Sequence, residues 1–298
     1  FFANFAAMKN TDSNGILTLV PVGGLANRMR AMASAYSLCE AVGSRLKVIW
    51  FRDWTLNAPF HDIFEPVDKG LMDLREATSS DYLVNDRPRR HNLWLPTLPQ
   101  MLLYSRRIYE RSVISLNQQG FDFGAWAAGH RCYMSCYHEF GSYPDELYRR
   151  IFRPVHSVME RVEDNVRQFT GHTIGMHIRR TDHTESIAKS PTSLFIEAGR
   201  RELEAHTDLK IFLATDDETV KAELRAAFGD RVITSAEAAS RGSSDGIRGG
   251  LVDMYTLSRT VRIYGSVGSS FSPMAARIGG VPMVSVCVDA LGPQHSSK

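Results

Sequence analysis

A regular alternation of short apolar runs and amphipathic runs in the second half of the chain constrains the fold most strongly. Apolar runs of strand length occupy 173–178, 210–214, 231–234, 261–264 and 281–288. Segments with helical spacing separate them. This alternation is typical of a parallel sheet with helices on its faces. It predicts a doubly wound α/β domain, in which ligands bind beyond the carboxyl ends of the strands.

The segments between these runs predict helices at 192–206, 218–228 and 251–260, with a further helix opening at Phe271. Thr192 follows a proline and is the predicted N-cap of the first of them. The Gly- and Ser-rich stretch 241–250 predicts a mobile loop that could act as a lid.

The start of the chain predicts a second α/β domain. An apolar run at 16–20 leads into Gly23-Gly24, a helical pattern that ends near Gly43, and another apolar run at 45–51. This is a βαβ unit whose helix start offers free N–H groups to an anion. The turn lacks the GxGxxG fingerprint, which excludes a nicotinamide dehydrogenase.

Residues 55–150 show no clean periodicity, so their basic run 87–91 is predicted to be a solvated loop and most of their aromatic residues to be core. The alternative is an acceptor surface, because aromatic faces stack on sugar rings and arginines hold acids. Prolines then punctuate two helical pieces, 145–152 and 155–169. We place the domain boundary there, which predicts domains 8–153 and 154–298, with Met8 taken as the natural start.

Composition limits the function classes. The 298 residues are 43% hydrophobic and 23% charged with a net charge of +2, as expected for a soluble globular protein that has no need of nucleic acid as a partner. No window predicts an integral membrane segment. Four scattered cysteines argue against disulfides and structural zinc. They favour a reducing compartment, which we predict to be the bacterial cytoplasm, with the inner membrane surface as a place where the protein could act.

Polar residues follow several predicted strands. His177, Arg179 and Arg180 end one run, Asp216-Asp217 another, and Ser269-Ser270 open a helix. An arginine has five donors matched to phosphate oxygens, and a helix N-terminus attracts anions. Taken singly, the arginines could be solvated, the aspartates could be caps, ribose ligands or a metal site, and the serines could be helix caps. Together they predict a nucleotide-handling enzyme.

Four stretches carry a more specific resemblance. Gly-Gly-Leu-Ala-Asn-Arg at 23–28, His-Ile-Arg-Arg-Thr-Asp at 177–182, Ala-Thr-Asp-Asp at 214–217 and Ser-Ser-Phe-Ser at 269–272 occur in the order of three motifs shared by the α-1,2-, α-1,6- and protein O-fucosyltransferase superfamily. The second stretch resembles the bacterial nodulation α-1,6 enzymes, and the fourth resembles the α-1,2 group. Residues 55–150 match nothing in that superfamily.

The resemblance implies a GT-B fold, with two Rossmann-like domains facing across a cleft. The N-terminal domain would hold the acceptor, an oligosaccharide or glycolipid, and the C-terminal domain would hold the donor GDP-fucose. Transfer would invert the anomeric carbon and need neither a metal ion nor another cofactor.

The resemblance also implies roles for single residues. Arg179 matches the essential arginine that binds the β-phosphate, Arg180 its supporting neighbour, and His177 a position near the guanine. Serines of the fourth stretch match phosphate ligands, and the Gly-Gly loop with its asparagine matches the segment that closes over donor and acceptor. The remaining predicted donor-binding residues are Gly23, Gly24, Asn27, Asp182, Asp216, Asp217, Ser269, Ser270 and Phe271.

Two departures from the superfamily leave alternatives open. Asn27 stands where some relatives have an acid that could act as a base, and Val261-Arg262 stand where some have an acid that contacts guanine. Candidate bases by residue type are Asp53, Asp182, His183 and Glu185. The alternatives to a fucosyltransferase are a GT-B enzyme with another nucleotide sugar, and an inactive glycan- or nucleotide-binding protein of the same fold.

Overall fold

The computed structural model describes residues 15–180, 188–235 and 242–288. The chain divides into two compact units, 1–153 and 154–298. Each unit holds one five-stranded sheet in which every strand pair is parallel. The predicted α/β class with two parallel sheets is confirmed.

Unit 1 contains strands β1 to β5 in the spatial order β3-β2-β1-β5-β4. β1 lies at the centre, and five of its six residues are buried. Apolar residues fill such a strand because helices and loops cover both faces of the sheet. The strands are Ile16–Pro21, Arg45–Trp50, Asp73–Glu76, Arg106–Ile108 and Arg131–Cys136.

The long first helix of unit 1 is α1, Leu25–Val42. It ends at Gly43, whose φ of 67° is left-handed and whose N–H donates to the Cys39 carbonyl. Glycine suits this position because it has no Cβ to clash there. The other helices, α2 to α6, are Ser79–Val84, Thr97–Leu103, Glu110–Gln118, Phe123–Ala127 and Glu146–Ile151, and short 3-10 turns occupy Phe60–Asp62 and Arg90–Asn92.

Unit 2 contains strands β6 to β10 in the spatial order β10-β9-β6-β7-β8. The chain starts in the central strand, adds two strands on one side, and returns to add two on the other. This is the doubly wound arrangement expected from the sequence. The strands are Thr173–Ile178, Lys210–Thr215, Val232–Ile233, Ile263–Ser266 and Met283–Val286.

Helices α7 to α11 belong to unit 2, and all six residues of its central strand β6 are buried. Ile174, Met176 and Ile178 of that strand pack in one apolar cluster with Phe195 and Phe228, which come from two of the helices. Burial of large side chains of this kind is the main driving force of folding. The helices are His156–Val166, Thr192–Ala205, Glu218–Phe228, Ser244–Leu257 and Phe271–Gly279, and a 3-10 turn occupies Gly229–Arg231.

The expected mobile loop over 241–250 is wrong for its described part. Helix α10 begins at Ser244, and the hydroxyl of Ser243 accepts from the Gly246 N–H at 3.1 Å. A serine N-cap is a strong helix start, and it outweighs the low helix propensity of the glycines that follow. Arg241 lies outside the described residues.

The start of α8 also differs from the prediction. Pro191 is the N-cap and Thr192 is the first helical residue. The Thr192 hydroxyl instead accepts from the Arg180 guanidinium at 3.1 Å. A side chain predicted to cap a helix therefore holds an arginine.

The unpatterned region of unit 1 supplies three of its five strands. Tyr104, Trp126 and Tyr133 are buried as expected, but Trp94 is 57% exposed. The basic run is not a solvated loop as a whole, because Arg87 faces both Asp53 and Glu110 and Arg89 pairs with Asp86 at 2.9 Å. Within the described ranges, no helix combines the length and hydropathy of a bilayer span.

Candidate functional site

In the described part of unit 2, the polar residues predicted from sequence lie at the carboxyl ends of β6, β7 and β9. β6 and β9 are neighbours, yet the chain leaves β6 toward β7 on the other side. Such a reversal of winding opens a crevice between the two strand ends, which is the usual ligand position in open α/β sheets. His177, Arg179 and the Ser269-Ser270 turn all come from this pair of strand ends.

At the end of β9 and in the turn after it, the backbone packs closely against neighbouring residues. Gly265 has His177 as its neighbour across the sheet, and a Cβ on Gly265 would collide with the Ser272 side chain. Gly268 has a φ of 77°. The hydroxyl of buried Ser269 then accepts from the Phe271 N–H at 3.2 Å, at the start of α11. The first turn of a helix carries N–H groups without intrahelical partners, and these suit an anion.

His177 is buried beside this helix start. Its ring stacks on Phe271 with centroids 4.7 Å apart, and its Nδ1 lies 3.3 Å from the Ser272 hydroxyl. Burial, reinforced by the Arg179 charge, lowers the pKa of His177 to about 4. The imidazole is therefore neutral at neutral pH, when it carries both a hydrogen-bond donor and an acceptor.

The end of β6 is fixed to the end of β9 through Ser266. The Arg179 N–H donates to the Ser266 hydroxyl at 3.3 Å, and that hydroxyl donates to the His177 carbonyl at 3.4 Å. Arg179 is half-buried. Its backbone position is thus set by the neighbouring strand, and the residue stands at the crevice.

Arg180 is engaged within the protein. Its guanidinium donates to the Ser190 carbonyl at 2.8 Å as well as to Thr192, and its N–H donates to Asp216 at 3.0 Å. Burial lowers the pKa of Arg180, and Asp217 opposes that effect. The side chain braces the segment that enters α8, so the geometry gives Arg180 a positioning role.

The two aspartates after β7 serve the backbone. Asp217 caps α9, accepting from the Thr219 N–H at 2.7 Å and the Val220 N–H at 3.3 Å. Asp216 accepts from the Arg180 N–H. Of the roles left open by the sequence, a helix cap therefore applies to Asp217.

The Gly-Gly turn of unit 1 lies at the end of β1, where the neighbouring β5 belongs to a later part of the chain. Gly23 has a φ of 82°. Asn27 follows in the first turn of α1 and accepts from Arg30 at 2.6 Å. The Arg30 guanidinium therefore orients the Asn27 side chain. Burial and the Arg30 charge also lower the pKa of His138, which comes after β5.

Arg28 ends the first stretch that resembles the superfamily, and the structure gives it a role. Its side chain is fully buried over the Trp50 ring, 4.7 Å from the centroid. It donates to the Gly23 carbonyl at 2.8 Å and to Asp53 at 3.2 Å. Burial lowers the pKa of Arg28 to about 10. The Gly-Gly turn is therefore tied to the end of β2.

Asp53 is a candidate base from its residue type, but its partners give it a structural role. One oxygen accepts from Arg28 and from the backbone N–H of Thr55, and the other faces Arg87 at 3.5 Å. The other candidates Asp182, His183 and Glu185 lie outside the described residues.

Sequence reasoning missed Ser190. This fully buried serine donates its hydroxyl to the Val286 carbonyl at 2.6 Å, and the same hydroxyl accepts from the Val267 N–H at 3.0 Å. It links the segment before α8 to the turn after β9. A single serine before a proline carries no sequence signal for this role.

The amino ends of the unit 2 strands hold a different polar cluster. Glu202 accepts from Arg262 at 2.8 Å and from Tyr264 at 2.6 Å, and it lies 2.9 Å from His172, whose ring stacks on His206. His172, Glu202 and His206 are the one group with metal-ligand geometry among the described residues. Burial raises the pKa of Glu202, but the hydrogen bonds of Tyr264, His172 and Arg262 outweigh it, so the pKa is lowered. Val261 and Arg262 precede β9, so they lie at the end of the sheet away from Ser269 and carry no information about a nucleotide base there.

Neither a family model nor a curated protein sequence matches the chain. Solved structures do match. NodZ α-1,6-fucosyltransferase soaked with GDP-fucose is 20% identical, with a TM-score of 0.65 over 95% of this chain and 97% of that one.

Two further structures extend the comparison. Fucosyltransferase NodZ from Bradyrhizobium is 19% identical, with a TM-score of 0.66 over 93% of this chain and 97% of that one. POFUT1 in complex with GDP-fucose is 10% identical, with a TM-score of 0.56 over 94% of this chain and 100% of that one. The resemblance expected from the motifs is confirmed in the fold, which the chain shares with these fucosyltransferase structures.

Proposed function

We propose that the chain is a glycosyltransferase that moves L-fucose from GDP-fucose to a hydroxyl of an oligosaccharide or glycolipid acceptor, with inversion and without a metal ion. The position of Arg179 carries the proposal: a half-buried arginine stands at the β6/β9 reversal, beside the helix start that follows Ser269. The shared fold supports it, since the similar structures include complexes with GDP-fucose.

In the proposed reaction the acceptor oxygen attacks the anomeric carbon of fucose on the face opposite GDP. The bond between that carbon and the β-phosphate oxygen breaks, and its electron pair stays on the phosphate. Arg179 and the α11 helix start would stabilise the charge that develops there. The acceptor proton passes to a base, for which Asp182, His183 and Glu185 stay predictions.

Neutral His177 supports a nucleotide base as the neighbouring group. A neutral imidazole held in one orientation by Phe271 and Ser272 can form directional hydrogen bonds with a purine edge, and it adds no charge that would repel Arg179. Asp216 and Asp217 are bonded to backbone N–H groups, which favours structural roles for them over metal ligation.

We propose different roles for the two units. Unit 2 would hold the donor through Arg179, Ser269 and Ser270, and unit 1 would hold the acceptor beside the Gly23-Gly24 turn. A bacterial cytoplasmic location is consistent with four cysteines that are all free thiols.

The test begins with calorimetric titration of GDP, UDP and ADP in the presence of EDTA. We expect GDP to bind most tightly, and Arg179→Ala to weaken GDP binding at least about tenfold through loss of a charge-assisted contact to phosphate. Arg201→Ala is the matched control, because Arg201 is an exposed arginine of the same unit whose guanidinium pairs with Glu197. Transfer of labelled fucose to candidate acceptors then measures activity.

Each alternative predicts a distinct result. Preference for UDP or ADP would reassign the donor to another nucleotide sugar. Binding of GDP-fucose without hydrolysis or transfer on any acceptor would favour the inactive binding protein. Equal GDP affinity in Arg179→Ala and Arg201→Ala would remove the basis of the proposal.

A further inference from the structure

Helix α3 of unit 1 buries a polar side chain and exposes apolar ones. Its fully buried residue is Gln100, whose amide donates to the carbonyls of Val84 at 3.1 Å and Asp86 at 2.8 Å and accepts from Tyr109 at 2.9 Å. The outward positions are apolar: Leu98 is 70% exposed and Leu102 is 88% exposed. A surface helix in water normally buries its apolar side, so a buried polar residue opposite exposed leucines marks an interface.

The turn before this helix presents more apolar side chains in an unusual conformation. Leu93 and Trp94 both have left-handed backbones, with φ of 51° and 60°. Residues with a Cβ rarely adopt this region, and two in succession need support. The support comes from the Leu93 N–H, which donates to the Arg90 carbonyl, and the Trp94 N–H, which donates to the Arg89 carbonyl, both at 3.1 Å. The folded turn thus holds two large apolar side chains in water.

We call the exposed apolar side chains of this region the apolar surface. They share a position on the turn or on the outer side of α3, and each is more than half exposed: Leu93, Trp94, Leu95, Leu98, Met101 and Leu102. Contiguous exposed apolar residues of this kind usually mark a binding surface.

The exposed charge directly before the apolar surface is basic. Residues 87–109 include five arginines and no aspartate or glutamate, but Arg87 and Arg89 are paired with Asp53, Glu110 and Asp86. Arg90 and His91, directly before the apolar surface, are exposed. Basic residues next to exposed Leu, Met and Trp are the composition of protein segments that lie in the interface of an anionic membrane.

We propose that the apolar surface inserts into the headgroup region of a membrane that contains anionic lipid, with Arg90 and His91 against the lipid phosphates. The segment is far too short to cross a bilayer, so it would lie on one leaflet. Trp94 suits this depth, because tryptophan favours the boundary between lipid and water. A second copy of the chain fits less well: in a symmetric dimer the exposed Arg90 and His91 of one copy would face the same basic residues of the other. The proposal does not depend on the transferase activity.

The experiment is co-sedimentation of the full chain with phosphatidylcholine vesicles, with and without phosphatidylglycerol. We expect binding to the anionic vesicles that weakens as salt rises. The double variant Leu98→Gln/Leu102→Gln should partition at least about tenfold less, since each leucine that stays in water loses a contribution of that order. Ile114→Gln, at another partly exposed apolar residue of unit 1, is the matched control and should bind like wild type.

Fluorescence locates the contact independently. Trp50 and Trp126 are buried and Trp54 is exposed, so in Trp54→Phe the exposed indole is Trp94. Its emission should shift to shorter wavelength with anionic vesicles. Circular dichroism and thermal melting confirm that each variant folds.

The proposal is overturned if wild type stays in the supernatant with every vesicle, or if the double variant binds as wild type does. Concentration-dependent dimerisation in sedimentation, lost in the double variant and accompanied by no vesicle binding, would assign the apolar surface to a second copy.

Discussion

The imidazole of His177 stacks on the ring of Phe271, with 25° between their planes, and couples the end of β6 to the first residue of α11. Gly265 permits this contact, because any side chain there would displace Ser272, which lies beside the histidine. The position of the helix start relative to Arg179 therefore depends on a neutral aromatic pair.

The free energy of unfolding in acid should depend on protonation of His177. The ordinary pKa of a histidine is 6.5, as expected in the unfolded chain, and the pKa of His177 in the folded protein is about 4. The unfolded chain therefore takes up the proton first as pH falls. The free energy of unfolding should therefore decrease between about pH 6.5 and 4. Urea unfolding at several pH values, compared between wild type and His177→Gln, isolates this component. The exposed His61→Gln is the control, and parallel curves for wild type and His177→Gln would contradict the prediction.

Asp253 should act with the opposite sign. Burial raises its pKa from 3.8 to about 7, and its carboxylate accepts from the Ser235 hydroxyl. The unfolded chain loses this proton first as pH rises, so the free energy of unfolding should decrease between about pH 4 and 7. Asp253→Asn should abolish that decrease. Asp245→Asn, an exposed acid of the same helix, should leave it unchanged.

Substitution of Arg180 should mainly lower stability, whereas substitution of Arg179 should mainly weaken GDP binding. Arg180→Ala removes the donors to Ser190 and Thr192, and we expect it to lower the free energy of unfolding by about 1–3 kcal/mol. Arg179→Ala should lower stability less and GDP affinity more. Denaturant unfolding and calorimetry on both variants measure the two quantities. The opposite assignment would hold if Arg180→Ala unfolded like wild type and failed to bind GDP.

Arg28 should be among the most sensitive positions of unit 1. Arg28→Met keeps a long side chain over Trp50 but removes the guanidinium that donates to Asp53 and to the carbonyls of Gly23 and Phe51. Breaking a buried ion pair from one side costs about 3–5 kcal/mol. Arg28→Lys should recover only part of this, because one ammonium cannot reach all three acceptors as the planar guanidinium does. Equilibrium unfolding in urea measures both; equal stability of Arg28→Lys and wild type would show that charge alone suffices.

The parallel sheets could be predicted because their central strands are buried on both faces. Such strands appear as continuous apolar runs, as in Thr173–Ile178 and Ile16–Pro21. The residues after those strands then mark the ligand end of the sheet, and His177, Arg179 and Ser269 do lie at the ends of neighbouring strands. The motif resemblance added the donor and the reaction, which periodicity alone could not supply.

Other features had no local signal. β3 is Asp73–Glu76 and β4 is Arg106–Ile108, edge strands so short and charged that their pairing is decided by tertiary contacts. The start of α10 could not be predicted, because the glycines near it have low helix propensity. The role of Arg28 could have been inferred, since it lies four residues before Met32 on the buried stripe of α1, where an arginine must find internal acceptors.

The lengths of the strands bear on how the protein behaves at high concentration. The outermost strands β3, β4, β8 and β10 have 4, 3, 2 and 4 residues, whereas β1 and β6 at the sheet centres have 6 each. A short outer strand offers few unpaired N–H and C=O groups to a passing molecule. The margins of both sheets therefore discourage the strand-to-strand stacking that leads to fibrils, even while the chain keeps an apolar surface in water elsewhere.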